Sequence, residues 1–246
     1  MIPHVIHYCW FGGKPLPKLA VDCIASWRKY LPGYEIKEWN ESNFDVNIIP
    51  YTSEAYAARK YAFVSDYARF WILYHYGGVY FDTDVEVIQP LAPLLEKGAF
   101  MGVENRIDRP GQTLCVAPGL GLACEPQMPV YKELLALYDD RHFNVDGKLD
   151  LTTVVKITTD FLFAKGLQNI NDLQQVEGLY IYPAEYFASR TTPVQIIERT
   201  AHSYCVHHYA RSWQSPRVRL KKKVQSMLPF WLNHALVQLK AWCKAR

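Results

Sequence analysis

Several features that mark other classes of protein are missing from this chain of 246 residues. The amino terminus carries no basic segment followed by an apolar run, so we expect no secretory signal. No stretch reaches the roughly 18 consecutive apolar residues that a membrane-spanning helix needs. The six cysteines form no C-x-x-C pair and no metal-ligand spacing. Together these absences predict a protein of the reducing cytoplasm, without a disulfide framework or a cysteine-based metal site.

The chain also lacks a flexible linker, an internal repeat and a low-complexity tract. Its 15 prolines and 13 glycines are scattered, while 50% of its residues are apolar and 14% are aromatic. This composition is ample for a sizeable core and is far from that of a disordered chain. We expect one large domain over residues 1–215, followed by a tail over residues 216–246.

Acidic residues are absent from the tail. Residues 217–246 contain eight Lys and Arg residues and no Asp or Glu. Without those eight charges, the formal charge of +3 for the whole chain becomes −5 for residues 1–216. A nucleic-acid-binding protein needs a basic surface that follows the phosphates. Because the body is mildly acidic, we expect no nucleic-acid partner.

The tail combines the basic run Lys221–Lys223 with large apolar residues at helical spacing, among them Trp231 and Trp242. An amphipathic helix of this composition suits the surface of an anionic membrane. The alternative is a helix packed against the body, with its cations in solvent. The membrane interpretation predicts a peripheral protein on the inner face of the cytoplasmic membrane, where it could reach a lipid-linked acceptor.

Hydrophobic periodicity predicts strands that alternate with helices along the body. Short β-branched and aromatic runs predict strands, and apolar residues three and four apart predict helices. The strands are expected at 5–10, 34–39, 79–81, 85–88, 180–182 and 203–207, and the helices at 17–30, 53–76 (as one helix or two), 130–138 and 153–165. This order predicts an α/β fold with a mostly parallel central sheet flanked by helices. Ligands of such sheets bind beyond the carboxyl ends of the strands.

Asp82-Thr83-Asp84 directly follows the strand predicted at 79–81. Carboxylates at positions i and i+2 of an extended strand share one face, where they can hold a hard divalent cation together. Phosphate oxygens can fill the other coordination positions, and a diphosphate leaving group needs that neutralisation as its bond breaks. A bare D-x-D is common, and a turn acid beside a solvent-facing acid is the alternative interpretation.

A second polar group lies on the helix that precedes this strand. Asp66 and Arg69 stand at i and i+3, and Ser65 and Arg69 at i and i+4, so their side chains share a helix face. The surrounding residues are bulky and apolar, which predicts a largely buried helix. A buried polar pair usually has a partner or a function. The pair is therefore a candidate for binding sugar hydroxyls in a fixed geometry, with an ordinary surface ion pair as the alternative.

Four motifs in order resemble glycosyltransferase family 32, the D-x-D sugar-binding-region proteins of capsular polysaccharide loci, and more distantly the glucosylating domains of large clostridial toxins. They are Ile2–Gly13 (IPHVIHYCWFGG), Phe63–Arg69 (FVSDYAR), Tyr74–Asp84 (YHYGGVYFDTD) and His207–Trp213 (HHYARSW). Four ordered motifs are more specific than any one of them. The resemblance implies a GT-A fold and retention of the anomeric configuration of the sugar.

The resemblance also implies roles at the nucleotide. Trp10 would stack on the base, with Ile6 and His7 lining the same pocket. Ser65 and Tyr80 would lie near the nucleoside. Stacking of a base on an aromatic ring is worth about 1–3 kcal/mol. Packing of Trp10 in the core at a strand end is the alternative.

At the sugar, the resemblance implies that Asp66 and Arg69 contact donor hydroxyls. Ser212 and Trp213 would close over the pyrophosphate. Residues 116–121 depart from the family pattern, because many relatives carry an Asn near these glycines and this chain has Pro118. No side-chain contact with the substrate carries over to this loop.

The metal site implied by the resemblance has Asp84 as the direct ligand of Mn²⁺ or Mg²⁺. Asp82 would lie near the ribose and a water-bridged metal. His208 would add a late metal or phosphate contact, with the adjacent His207 as the alternative. The candidate catalytic residues are accordingly Asp66, Arg69, Asp82 and Asp84.

The sequence thus predicts a retaining, metal-dependent glycosyltransferase of surface polysaccharide synthesis. Its donor would be a nucleotide-diphosphate sugar, UDP before GDP, carrying a hexose or N-acetylhexosamine, and its acceptor a glycan or a lipid-linked oligosaccharide. A covalent glycosyl-enzyme and same-face attack assisted by the leaving phosphate both remain open. A D-x-D phosphohydrolase of the haloacid-dehalogenase type is one alternative, although this chain has Glu86 where that motif has Thr or Val. A non-catalytic carbohydrate-binding protein of the same fold is another.

Overall fold

A computed structural model describes residues 1–188, 190–191, 196–197 and 199–210 of the chain. The predicted tail and the predicted roles of Ser212 and Trp213 lie outside the described residues. The helices are α1 Lys18–Tyr30, α2 Pro50–Ala57, α3 Tyr61–Tyr76, α4 Ala92–Lys97, α5 Pro129–Ala136, α6 Val154–Ala164 and α7 Ala184–Phe187. The strands are β1 Val5–Cys9, β2 Glu35–Trp39, β3 Gly78–Tyr80, β4 Val85–Val87, β5 Phe100–Gly102, β6 Leu122–Cys124, β7 Asn144–Val145, β8 Lys148–Leu149, β9 Gln174–Val176, β10 Leu179–Tyr182, β11 Arg190–Thr191, β12 Ile196–Ile197 and β13 Cys205–His207.

Seven of these strands form the central sheet, in the order β2-β1-β3-β6-β5-β10-β9. β2, β1 and β3 are parallel neighbours, and β6 runs opposite to both of its neighbours. β10 is parallel to β5, and β9 is antiparallel to β10. Five strands therefore point in one direction and two in the other, and the predicted α/β fold with a mostly parallel sheet is confirmed. The parallel half arises because helices connect β1 to β2 and β2 to β3.

Helix α3 carries the predicted Asp66–Arg69 pair and packs against β1, β3 and α5. The predicted stretch 53–76 is two helices, since α2 ends at Ala57 and α3 begins at Tyr61. Asp66 and Arg69 are buried along with the apolar residues of α3, as the sequence predicts. The helix ends at Gly77, where φ is 62° and an added β-carbon would lie 2.7 Å from the backbone nitrogen of Pro126. Glycine is required at that position by the close approach of two backbones.

Strand β4 leaves the central sheet and pairs antiparallel with β13. The buried indole of Trp27 in α1 donates its N–H to the carbonyl oxygen of Val85 at 2.8 Å, which fixes β4 against α1. The pairing joins His207 to Val85 in register. It therefore brings residues near position 207 to the segment that directly follows the D-x-D motif.

Among the described residues, no helix has both the length and the apolar character needed to cross a bilayer. That part of the chain holds five of the six cysteines, and four of those five are buried. The division into residues 1–215 and a separate tail remains a prediction.

Candidate active site

The D-x-D carboxylates lie in the turn that connects β3 to β4. The backbone N–H of Asp82 donates to the carbonyl oxygen of Gly119 at 3.0 Å, and that of Val85 donates to the carbonyl oxygen of Asp82 at 3.1 Å. The expectation that an extended strand aligns the two carboxylates is therefore wrong, because β3 already ends at Tyr80. The turn brings the carboxylates together instead.

His207 completes a cluster with these two carboxylates. One ligand atom from each of Asp82, Asp84 and His207 lies within 4.8 Å of the others. The Nε2 atom of His207 is 3.2 Å from Oδ1 of Asp84. The backbone N–H of Ala210 donates to Oδ2 of the same carboxylate at 2.7 Å. Both Asp84 oxygens are therefore held by groups from the β13 segment.

The doubled histidine is resolved by strand alternation. His207 points into the carboxylate cluster, whereas Nε2 of His208 lies 3.0 Å from Oε2 of Glu86. The backbone N–H of His208 donates to the carbonyl oxygen of Asp84 at 2.9 Å. Of the two predicted histidines, the alternative, His207, therefore lies in the candidate cluster and the first choice, His208, does not, because neighbouring residues of an extended segment face opposite sides. A metal contact by either histidine remains a prediction.

The contact between Asp84 and His207 changes the acidity of both. Burial alone would raise the pKa of Asp84, but the neighbouring His207 and the Ala210 N–H outweigh it and lower that pKa to about 2. Burial alone would lower the pKa of His207, and the charge and hydrogen bond of Asp84 reverse this and raise it. The contact therefore favours the imidazolium–carboxylate form of the pair over the neutral form.

The chemistry of this donor set fits a divalent cation. Carboxylate oxygens suit Mn²⁺ and Mg²⁺, while an added imidazole nitrogen favours a transition ion such as Mn²⁺ over Mg²⁺, which prefers oxygen ligands. The Nδ1 atom of His207 is buried and has no hydrogen-bond partner among the described residues. Asp84 and His207 could hold a cation directly, with Asp82 beside them.

A buried chain of charges extends from this cluster into the sheet. Nη2 of Arg69 lies 2.8 Å from Oδ1 of Asp66 and 3.3 Å from Oδ1 of Asp82. Nε of Arg69 donates to the carbonyl oxygen of Ser65 at 3.1 Å. One guanidinium thus bridges two carboxylates and links the predicted sugar-binding pair to the D-x-D motif.

Asp66 has a second partner, at the start of helix α6. Burial raises the pKa of Asp66, while the Arg69 charge and a hydrogen bond from the backbone N–H of Val154 oppose that rise. An acid at a helix amino terminus satisfies an N–H group that the helix leaves unpaired. Asp66 therefore ties α3 and the Arg69 guanidinium to α6.

Tyr80 and Ser65 lie beside Arg69. The Tyr80 hydroxyl donates to Oδ1 of Asp82 at 3.3 Å, and the Arg69 guanidinium lies 5.1 Å from the centre of the Tyr80 ring. The hydroxyl of Ser65 donates to the carbonyl oxygen of Tyr61 at 3.1 Å. Tyr80 thus positions Asp82 and Arg69, whereas the Ser65 hydroxyl is engaged within its own helix.

Two residues expected to line the base pocket belong to the core. Ile6 is 0% exposed and His7 is 1% exposed. The indole N–H of Trp39 donates to Nδ1 of His7 at 3.0 Å, so Nε2 carries the proton and donates to the Gly77 carbonyl oxygen at 3.1 Å. Burial lowers the pKa of His7 to about 4. Both side chains are therefore buried in the sheet, away from solvent, and their predicted role in lining a base pocket remains a prediction.

Trp10 lies just beyond the carboxyl end of β1 and is partly buried. Its backbone N–H donates to the carbonyl oxygen of Trp39 at 2.8 Å. Its indole N–H donates to the carbonyl oxygen of Lys14 at 2.6 Å. The ring is thus held at the edge of the sheet where ligands bind in this fold class. Its stacking on a base remains a prediction.

Sequence reasoning missed two residues at the site. Gly119 lies against Asp82 and Arg69, and Glu104 adds negative charge to the surroundings of His207. The Pro118-Gly119 pair indicates a turn, but nothing in the sequence connects that turn to Asp82. Glu104 follows β5 as an ordinary polar residue, so only the folded structure reveals its proximity to His207.

Residues 17–101 match the family model described as a glycosyltransferase sugar-binding region containing a DXD motif. The matched segment contains Asp66, Arg69, Asp82 and Asp84. The resemblance predicted from the four motifs is thereby confirmed.

Curated relatives point to the same class. The chain is 34% identical over 111 residues to inositol phosphoceramide mannosyltransferase 1 of Schizosaccharomyces pombe, covering 41% of this chain and 33% of that protein. It is 25% identical over 233 residues to an uncharacterized glycosyltransferase of Acanthamoeba polyphaga mimivirus, covering 90% of this chain and 87% of the viral protein. The chain spans about a third of the length of the yeast relative that it matches.

A solved structure shares the fold. Mouse xyloside xylosyltransferase 1 in its apo form superposes with a TM-score of 0.50 at 13% identity, covering 88% of this chain and 100% of the mouse chain. Similarity at this level of identity concerns the fold alone, and it confirms the predicted GT-A type. The family model and the curated relatives are all described as glycosyltransferases, which is the class predicted from the sequence.

Proposed function

We propose that this protein transfers a sugar from a nucleotide-diphosphate sugar to a glycan or lipid-linked acceptor, with retention of configuration and with the help of a divalent cation. The observation that carries the proposal is the continuous arrangement from Asp84 and His207, through Asp82 and Arg69, to Asp66. The proposed cation site and the proposed sugar site are neighbours in this arrangement, which supports cleavage of the bond between sugar and diphosphate.

At the cation end, Asp84 and His207 are the proposed ligands, with Asp82 acting through water. A Mn²⁺ or Mg²⁺ ion bound there would supply positive charge to the departing diphosphate. The backbone N–H of Ala210 keeps the Asp84 carboxylate oriented, and an oriented carboxylate needs no reorganisation when the substrate binds.

At the sugar end, Asp66 and Arg69 are the proposed contacts for donor hydroxyls. Both are buried and hydrogen-bonded to each other, so their positions are fixed before the sugar arrives. Fixed contacts hold the anomeric carbon in the orientation that the reaction needs. Trp10, at the sheet edge, is the proposed platform for the nucleotide base.

For the donor we favour a UDP-sugar that carries a hexose or N-acetylhexosamine. The fission-yeast relative is named as an inositol phosphoceramide mannosyltransferase, which supports nucleotide-linked mannose as a second candidate donor. That name also supports a lipid as the acceptor. A role in surface polysaccharide or capsule synthesis, a site on the inner face of the cytoplasmic membrane and membrane docking through residues 216–246 are part of the same proposal.

The experiment is a nucleotide-sugar hydrolysis and transfer assay with purified full-length protein, Mn²⁺, and a panel of UDP- and GDP-sugars. Release of nucleoside diphosphate from one donor, lost with EDTA and restored by Mn²⁺, supports the proposal. Release of phosphate from simple phosphomonoesters without any sugar transfer would support the phosphohydrolase instead. Binding of sugar without any donor cleavage would support a non-catalytic carbohydrate-binding protein.

A further inference from the structure

We propose that Gly119 is a positioning residue for Asp82: the missing β-carbon at position 119 leaves the room in which the Asp82 carboxylate reaches Arg69 and the candidate cation site. The importance of this for catalysis rests on the proposed function. The positioning itself does not, because it concerns contacts within the folded protein.

The space next to Gly119 is filled by the Asp82 carboxylate. A β-carbon built on Gly119 would lie 2.0 Å from Oδ2 and 2.8 Å from Cγ of Asp82, and 3.2 Å from Nη1 of Arg69. Nonbonded carbon and oxygen atoms do not approach to 2.0 Å, so a methyl group and the present carboxylate position exclude each other. Oδ1 of the same carboxylate is already engaged by Tyr80 and Arg69.

The loop around Gly119 is anchored on several sides. The backbone N–H of Ala117 donates to the carbonyl oxygen of Gly102 at 2.9 Å. The backbone N–H of Leu120 donates to the carbonyl oxygen of Ala117 at 3.1 Å. The backbone N–H of Val116 donates to the hydroxyl of Thr159 in α6 at 2.9 Å. Gly119 itself accepts the backbone N–H of Asp82. The loop is thus the fixed partner, and the carboxylate at the end of the Asp82 side chain is the group that would move.

Backbone strain does not explain this glycine. Gly119 is absent from the glycines with positive φ, so alanine can adopt its backbone conformation without the cost that a left-handed residue incurs. The effect of a substitution at this position therefore comes from the contact with Asp82, which a second substitution can remove.

The consequence reaches the cation site. A displaced Asp82 carboxylate loses its 3.3 Å contacts with Arg69 and Tyr80. It also leaves the group of three ligand atoms that it forms with Asp84 and His207. Gly119, through a loop anchored on β5 and α6, therefore sets the position of one member of that group.

A double-mutant cycle tests the proposal. Gly119→Ala is made in the wild type and in Asp82→Ala, and the melting temperature of each full-length protein is measured without metal or substrate. We expect a fall of about 2–12 °C in the wild-type background, the range for a buried steric conflict in a chain of this size, and almost no fall in the Asp82→Ala background. If Gly119→Ala prevents folding in the wild-type background but not in the Asp82→Ala background, this supports the proposal more strongly. An equal fall in both backgrounds, or a failure to fold in both, overturns the proposal.

Gly102→Ala is the matched control. Gly102 also lacks a positive φ, and a β-carbon there would lie 2.8 Å from the Phe187 ring rather than near Asp82. Its cost in melting temperature should be the same in both backgrounds. If the fall in melting temperature caused by Gly102→Ala also disappears in the Asp82→Ala background, then Asp82→Ala loosens the protein in general. That result would overturn the proposal.

Calorimetry of UDP in the presence of Mn²⁺ adds a second readout. Gly119→Ala should weaken Mn²⁺-dependent UDP binding by about 10-fold or more, as loss of an oriented carboxylate at a metal site does, and should add nothing in Asp82→Ala. Unchanged binding in Gly119→Ala would contradict the positioning role. If the wild type binds no nucleotide at all, the proposed function fails, while the melting cycle still decides the role of Gly119.

Discussion

His207 Nε2 lies 3.2 Å from Asp84 Oδ1, and this contact joins the last strand of the described chain to the D-x-D turn. The imidazole comes from β13, which pairs with β4 directly after the motif. Substitutions of Asp84 and His207 can therefore be compared with substitutions of Glu86 and His208, a second carboxylate–imidazole pair on the opposite side of the same strands.

The first prediction concerns Asp84. Asp84→Asn keeps an oxygen that can accept the Ala210 N–H but removes the charge that holds a cation, so donor cleavage with Mn²⁺ should fall by more than about 100-fold. The melting temperature should change little. Glu86→Gln alters the neighbouring carboxylate and should retain activity. Near wild-type turnover of Asp84→Asn, after EDTA treatment and restoration of Mn²⁺, would rule out the metal role.

The second prediction separates the two histidines. His207→Gln should weaken Mn²⁺ binding by about 10–100-fold, whereas His208→Gln should leave it almost unchanged. Manganese titration followed by electron paramagnetic resonance measures both without any substrate. The reverse order of effects would restore His208 as the ligand and would contradict the geometry of the described segment.

The third prediction is a pH dependence of Mn²⁺ binding. Because Asp84 raises the pKa of His207, the imidazole is protonated below that raised value, and a bound cation must displace this proton. Affinity for Mn²⁺ should therefore rise as pH increases through the raised pKa and level off above it. The dependence should disappear in His207→Gln. A wild-type affinity that stays flat as pH rises from the ordinary histidine range to well above it would exclude the competition between proton and metal.

The fourth prediction concerns the buried guanidinium. Arg69→Lys keeps a positive charge between Asp66 and Asp82 but cannot reproduce the forked contacts, so kcat should fall by about 10–100-fold, as it does when a positioning contact is lost. UDP alone lacks the sugar and should bind almost as well as it does to the wild type. Arg69→Ala is a poorer test, because it leaves two buried carboxylates unpaired at a cost of about 3–5 kcal/mol. Equal losses of affinity for UDP and UDP-sugar in Arg69→Lys would mean that the pair is structural.

The fifth prediction concerns Trp10. Trp10→Ala should raise the donor KM by about 5–100-fold, from a loss of about 1–3 kcal/mol of stacking. Trp10→Phe keeps a ring but loses the hydrogen bond to Lys14, so it should have a smaller effect on KM. An unchanged KM together with a lower melting temperature in both variants would make Trp10 a packing residue.

The tail leads to a separate expectation. If residues 217–246 form an interfacial helix, the protein should sediment with anionic liposomes and not with neutral ones, since each Lys or Arg near such a surface is worth about 1 kcal/mol. Raised salt should release much of it. Truncation after Pro216 should preserve donor hydrolysis while transfer to a lipid-linked acceptor falls. An insoluble truncation product and a full-length protein that ignores anionic liposomes would contradict membrane docking.

The sequence predicted those parts of the fold that local patterns determine. The helical spacing of apolar residues located α1, and the Gly77-Gly78 pair marked the change from α3 to β3. The sequence predicted an extended conformation for the D-x-D motif, which lies in a turn. Three residues are too few for a pattern of side chains to distinguish a strand from a turn. The burial of His7 was not predicted, because sequence does not reveal that Trp39 and Gly77 occupy both of its ring nitrogens.

The candidate site was predicted less completely than the fold. Asp66, Arg69, Asp82 and Asp84 lie in two adjacent motifs, and their proximity followed from one helix leading into one strand. The choice between His207 and His208 depended on the register of β13 against β4, which is a long-range pairing. The contact between Gly119 and Asp82 depends on the reversed strand β6 that follows residue 119, and no local pattern predicts the direction of that strand.

The pairing of β4 with β13 means that the candidate site cannot be transferred to another protein as a short segment of this chain. The matched region 17–101 holds both carboxylates of the motif, yet the imidazole, the Gly119 loop and Trp10 all come from outside it. A graft of that region into another scaffold would transfer the motif without its surroundings. To change the donor preference, one should therefore exchange the whole of residues 1–215 between relatives, or substitute single side chains in this protein. Exchange of the sugar-binding region alone would not be sufficient.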